Sequence, residues 1–285
     1  MVRLLKYFLS VFVFCCFTAC TDTANTVPKK SIDISQLTST QKEAMIKRLK
    51  KPMNAVGMIG SFEENLLRLD SLILLEPHIF QYYHDKQVDA LKMGDYQTSF
   101  ETLEKSISID STEALTYYAP ILLYYFRDYE RALKRLEELD KLTPNQTDYA
   151  MGENIHYLKG LAHKQMGNYK TAIEELTKCM DIEKEAMDSY LPVYRGISYL
   201  RSQNYEAAIQ DFDYTLTNLK DPHNTLALYY KSEALLVQGD TIQAKKLLEE
   251  SLKWIQKGYA KREMYYEIFD HVSVDMVKDR LMDLE

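Results

Sequence analysis

The stretch that decides the fold runs from Glu153 to Lys184, E-N-I-H-Y-L-K-G-L-A-H-K-Q-M-G-N-Y-K-T-A-I-E-E-L-T-K-C-M-D-I-E-K. Apolar residues recur at helical spacing on both sides of Gly167-Asn168-Tyr169, so the stretch reads as two helices joined by a tight turn. Gly167 ends the first helix, because a left-handed conformation costs glycine nothing. The same frame returns along the chain, with Gly94-Asp95-Tyr96, Arg127-Asp128-Tyr129, Asn204-Tyr205 and Gly239-Asp240 at the turn. The copies start near residues 80, 113, 153, 189 and 225, at intervals of 33, 40, 36 and 36. A period of that size belongs to arrays of stacked helix pairs, with the extra residues in surface loops.

The composition agrees with helices. Nine glycines and seven prolines in 285 residues are too few for the turns of an all-β protein, while 46% hydrophobic residues suffice for a sizeable core. A formal charge of −7 argues against a nucleic-acid binder held by phosphate contacts. Twenty-two tyrosines exceed what a core requires and point to a surface where rings pack and hydroxyls stay wet.

In the order of its small and aromatic residues, the quoted stretch resembles one unit of the tetratricopeptide-repeat (TPR) family, through Gly160, Gly167, Tyr169, Ala172, Leu176 and Cys179. The resemblance implies an all-α fold, a right-handed superhelical solenoid of antiparallel helix pairs. Gly160 and Ala172 would sit where the two helices of a unit touch, and Tyr169 would fill the gap between units. The other copies carry Gly94, Tyr96, Ser99 and Leu103; Tyr129, Ala132, Leu136 and Pro144; Gly196, Tyr205, Ala208 and Phe212; and Gly239, Ala244 and Leu248 in the same roles. Thr241 departs from the pattern, which has an aromatic there. Cys179 stands where the family usually has Ala, which implies a small buried hydrophobe rather than a reactive thiol. Pro120, inside the first helix of its unit, is expected to kink that helix or delay its start.

Outside the five units, a degenerate copy is expected to start near Ile46. Pro52 and Gly57 interrupt its first helix, and Ser61-Phe62-Glu63-Glu64 forms a capping box for its second. At the other end, Tyr259, Met264, Ile268, Val274, Val277 and Leu281 continue the helical spacing, expected as C-terminal capping helices that close the last unit.

The first residues read as an export signal, with Arg3 and Lys6 ahead of an apolar run from Tyr7 to Phe17. Phe17-Thr18-Ala19-Cys20 resembles a bacterial lipobox, with Phe17 departing from the family's Leu. This implies lipid on Cys20 and an exported membrane lipoprotein, on the periplasmic side or the cell surface, with the outer membrane favoured. An ordinary cleaved signal or an uncleaved anchor is the alternative. The expected organisation is a signal over 1–19, lipidated cysteine and flexible linker over 20–36, N-terminal helices over 37–79, five units over 80–258 and capping helices over 259–285.

No HExxH, glycine-rich phosphate loop, G-x-S-x-G or paired-cysteine pattern is present, so the sequence predicts neither enzyme nor metal nor cofactor. His156 and His163 are seven apart and fall where the family places aromatic core residues. In the family the first helices line a concave groove. Carried over, that places Tyr117, Tyr124, Tyr157, Lys164, Tyr194, Arg201 and Tyr229 on one partner-binding surface. The expected function is a membrane-anchored scaffold of the cell envelope that binds a protein or peptide partner. The alternative is a glycan- or small-ligand-binding lipoprotein in which the same rings stack on sugar.

Overall fold

The structure is a computed structural model that describes residues 36–50, 58–144 and 148–285. The export signal, Cys20 and the linker up to residue 35 lie outside the described residues, as do Pro52 and Gly57. Five helix pairs follow one another in register with the sequence frame: α3 (Phe80–Lys92) with α4 (Tyr96–Ile107), α5 (Ser111–Tyr124) with α6 (Tyr129–Leu142), α7 (Ile155–Gln165) with α8 (Tyr169–Ile182), α9 (Tyr190–Arg201) with α10 (Tyr205–Asp213), and α11 (Thr225–Val237) with α12 (Thr241–Gln256). Each helix packs mainly on its neighbours in sequence, as in a solenoid.

The turn inside each pair has one physical recipe. A residue in the left-handed region ends the first helix: Gly94, Arg127, Gly167, Gln203 and Gly239 have φ between 54° and 87°. An Asp or Asn follows, and in four of the five pairs its side chain caps the second helix. Asp95, Asp128, Asn204 and Asp240 each accept the backbone N–H three residues on, at 3.0 to 3.3 Å. Asn168 makes no such bond.

Small residues allow the two helices to meet. A Cβ on Gly160 would lie 2.5 Å from Leu176 Cγ, and one on Gly196 would lie 2.7 Å from a Phe212 ring carbon. Ala132, Ala172, Ala208 and Ala244 are fully buried at the facing positions. The turn tyrosines are less enclosed than the resemblance implies. Tyr129, Tyr169 and Tyr205 are half-buried and Tyr96 is exposed.

Two N-terminal helices, α1 (Ser39–Leu49) and α2 (Met58–Leu75), precede the pairs. The capping box falls on Thr38 and Gln41 of α1, and α2 begins upstream of Ser61, so the expected box at Ser61 does not open it. Leu69, Leu72 and Tyr82 form a small core there, separate from the main one that runs from Leu91 to Val277. α5 starts at its Asp110 cap and runs through Pro120, so its start is not delayed.

Three features lie outside the sequence reading. A two-stranded hairpin, β1 (Tyr149–Ala150) and β2 (Glu153–Asn154), turns at Met151 and Gly152, both with positive φ, and occupies the long interval before the third unit. Residues 214–218 widen into a π-helical turn, where the Thr215 hydroxyl donates to the Ser189 carbonyl. Of the expected capping region, only α13 (Val274–Met282) is helical; it packs on α12, and Arg280 pairs with Glu233 of α11 at 2.7 Å. Residues 260–273, here called the strap, have no regular structure and leave the last unit to cross the first helices of the earlier ones.

Candidate functional site

The face built from the first helices gathers Tyr124 of α5, Tyr157 and Lys164 of α7, and Tyr194 of α9 into one patch. Their spacing follows from the repeat, because corresponding positions on successive first helices stack along one surface. The Tyr157 and Tyr194 rings are 6.1 Å apart, and Lys164 Nζ lies 5.1 Å from the Tyr194 ring, a cation–π contact.

The patch is covered by the chain itself. Tyr266 of the strap stacks on Tyr124 with ring centroids 4.7 Å apart and planes 18° from parallel. Phe269 follows, 5.7 Å from the Tyr124 ring, with the Arg127 guanidinium 4.2 Å from its centre. Asp270 forms an ion pair with Lys164, whose side chain is almost fully enclosed. The strap's main chain is also held. Arg127 donates to the Glu267 carbonyl, and the Tyr230 hydroxyl donates to the Asp270 carbonyl at 3.3 Å. Further out, Lys261 lies over the Tyr190 ring and Lys92 over Tyr265.

Burial shapes the electrostatics of this floor. It pulls the Lys164 amine below the usual lysine range; Asp270 acts against that shift, and Arg201 and Arg127 reinforce it. Burial pushes the Glu153 carboxyl up to about 6, although the Tyr124 hydroxyl donates to it at 2.7 Å. The phenols of Tyr124, Tyr157 and Tyr194 are raised well above 10 by the same burial.

The remaining members of the expected surface stand apart from this patch. Tyr117 packs on His84 at 4.1 Å and lines an open depression of about 470 Å³ with Thr116, Tyr149, Met151 and Gly152. Tyr229 is half-buried, edge-on to Tyr230, and Arg201 is exposed beside it. The residues that the sequence reading missed are Arg127, Glu153, Tyr266, Phe269 and Asp270.

The other singled-out side chains have structural roles. His156 is bonded to Glu175 at 2.7 Å, and burial pushes the Cys179 thiol up to about 12, where it is inert at neutral pH. Among the described residues no group of three or more His, Cys, Asp or Glu side chains could hold a metal ion.

Comparison with known proteins matches residues 153–185 to the family described as tetratricopeptide repeat. No curated protein matches the chain. Solved structures share the fold: MamA from Desulfovibrio magneticus RS-1 (TM-score 0.54, 18% identity, 62% of this chain and 96% of that one) and PilF of Pseudomonas aeruginosa (0.53, 19%, 76% and 92%). YrrB, described as a TPR protein with an unusual peptide-binding site, is similar at TM-score 0.50 and 13% identity over 67% of this chain and 94% of that one. With its repeated helix pairs, the chain has the fold of a tetratricopeptide-repeat solenoid, and residues 153–185 match one unit of that family. Proteins of this kind are in general non-catalytic scaffolds that bind protein or peptide partners.

Proposed function

We propose that the protein is a non-enzymatic, membrane-tethered scaffold of the bacterial cell envelope that holds a segment of a partner protein on its first-helix face. One observation carries this reading: the face already grips a stretch of polypeptide without regular secondary structure. It stacks on an aromatic side chain, pairs with a carboxylate and donates to two main-chain carbonyls. Those are the contacts by which proteins bind peptides. A glycan would need open ring faces, whereas Tyr124 is occupied by Tyr266. The tether rests on the sequence around Cys20, where each buried lipid methylene contributes about 0.8 kcal/mol to membrane binding.

Two measurements test the proposal. Cys20→Ala should shift the protein out of the detergent phase in which the wild type partitions; unchanged partitioning ends the lipoprotein reading. Crosslinking in native membranes should recover a protein partner. Against that partner, Tyr124→Ser with Lys164→Gln should raise Kd by an amount corresponding to about 2 kcal/mol, with helicity unchanged. An unaltered Kd in the folded double variant moves the binding surface off this face.

A further inference from the structure

We infer that the strap is a ligand in cis, and that the partner it stands in for is an irregular segment carrying the same chemistry: two aromatic side chains three residues apart with a carboxylate next to the second. The inference rests on the partner-binding reading of this face and adds the class of partner and the means of regulation.

The strap behaves as a bound peptide rather than as part of the solenoid. Among the described residues, no backbone hydrogen bond joins residues 260–272 to the helices of the repeats. Its hold is through side chains, with Tyr266, Ile268, Phe269, Asp270 and Val272 seated on the face, and through carbonyls that accept from Arg127 and Tyr230. Just ahead of these grips, Met264 and Tyr265 are exposed. Both ends are fixed independently, at the Gly258 turn after α12 and by α13, so release of the strap's side chains would leave every backbone hydrogen bond of the repeats in place.

What it would leave behind defines its replacement. Lys164 is paired with Asp270, and the neighbouring charges that act on it besides Asp270 are Arg201 and Arg127, both of its own sign. An occupant without a carboxylate at that point would bury the amine unpaired, which is costly, so the occupant must bring one. Tyr124 offers a ring face, and Arg127 lies over the second aromatic side chain.

Arg127 carries independent weight. It holds φ 54° at a turn where three of the other four units use glycine. A long side chain kept in that conformation is accounted for by its two contacts with the strap.

The test uses the full chain and a fluorescein-labelled peptide of residues 262–273. Two variants loosen the strap in cis, Tyr266→Ala with Phe269→Ala and the milder Asp270→Asn. Each should bind the peptide about tenfold or more tightly than the wild type, because a tethered ligand competes at high effective concentration. The same peptide with Asn at its 270 position should bind about tenfold more weakly than the original. Equal affinity of the wild type and both folded variants for the peptide would overturn competition by the strap. Equal affinity of the two peptides would remove the carboxylate requirement while leaving the groove reading intact. If folded, loosened variants bind neither peptide yet still bind the crosslinked partner, this inference fails and the proposed function stands. If they bind neither peptide nor partner, both fail.

Discussion

Glu153 shows how much of a site one residue can hide from its sequence. In the repeat frame it is only the first residue of a unit, yet it lies on β2, accepts from Tyr124 at 2.7 Å and sits within reach of Lys261 and Glu263. Its carboxyl titrates near 6 in the folded protein because burial disfavours the charge. Folding therefore retains a proton that the unfolded chain releases near 4.5. The stability contribution of the protonated form is complete below about pH 4.5 and is lost as pH rises through about 6. Glu175 acts in the other direction and in another window. Burial raises its pKa, but His156 and Lys178 outweigh that and hold it near 2, so its contribution is lost only as pH falls below about 4.5. In urea titrations between pH 4.5 and 7, the stability of the wild type relative to Glu153→Gln should fall by an amount on the order of 2 kcal/mol; His84 and His163, held low by burial, act the other way in this window but equally in both proteins. A difference that does not change with pH would remove Glu153 from this account.

At the scale of the element, the turn was legible and its exceptions were informative. Gly94, Gly167 and Gly239 announce left-handed ends, and the Asp or Asn after each announces the next helix. Arg127 and Gln203 occupy the same conformation against their own preference, which costs about 1–2 kcal/mol before the entropy of a replacing glycine is set against it. Gln203 is exposed, so Gln203→Gly should raise stability by up to about 1 kcal/mol in thermal unfolding. Arg127→Gly relieves the same strain but removes the donor to Glu267 and the cation over Phe269. It should leave the strap amides exchanging faster while the helices stay protected. If Arg127→Gly protects the strap as well as the wild type does, the side chain is a bystander.

The hairpin and the strap were illegible for one physical reason: neither has a period. Two two-residue strands make no alternation: Tyr149 to Gly152 fall in the interval between two units, and Glu153-Asn154 in the helix that follows. In the strap, Tyr259, Met264 and Ile268 mimic helical spacing, but the structure leaves Met264 and Tyr259 exposed and buries Ile268, Phe269 and Val272. The start of α13 was readable in Ser273, whose hydroxyl caps Met276 at 3.2 Å. The tyrosine patch itself was legible because repeats place equivalent residues on one surface. Its occupant was not, because contacts such as Lys164 with Asp270, 106 residues apart, leave no local trace.

At the scale of the whole molecule, the strap changes what a solenoid is. Repeat arrays hold together through contacts between neighbours, so distant units are coupled only through those between them. Here Arg127 meets Glu267 across 140 residues, and Tyr124, Lys164 and Tyr230, from three different units, share one strap. The strap thus adds a second, non-local tie, and the units it spans should open together. Native-state hydrogen exchange against denaturant separates the alternatives, because units that open together merge to one free energy and slope. In the wild type, the slowest amides of α5, α7, α9 and α11 should merge. Phe269→Ala removes a buried ring, 5% exposed, at a cost of roughly 3–5 kcal/mol if the site does not collapse. In that variant α5 and α6 should exchange through a lower-energy opening than α11 and α12, since α13 still closes the last unit through Arg280 and Glu233. The small core of Leu69, Leu72 and Tyr82 lies outside the strap's reach and should exchange independently in both proteins. A uniform loss of protection across α5 to α12, with the merged slope retained, would mean that the packed helices alone carry the cooperativity and the strap only adds stability.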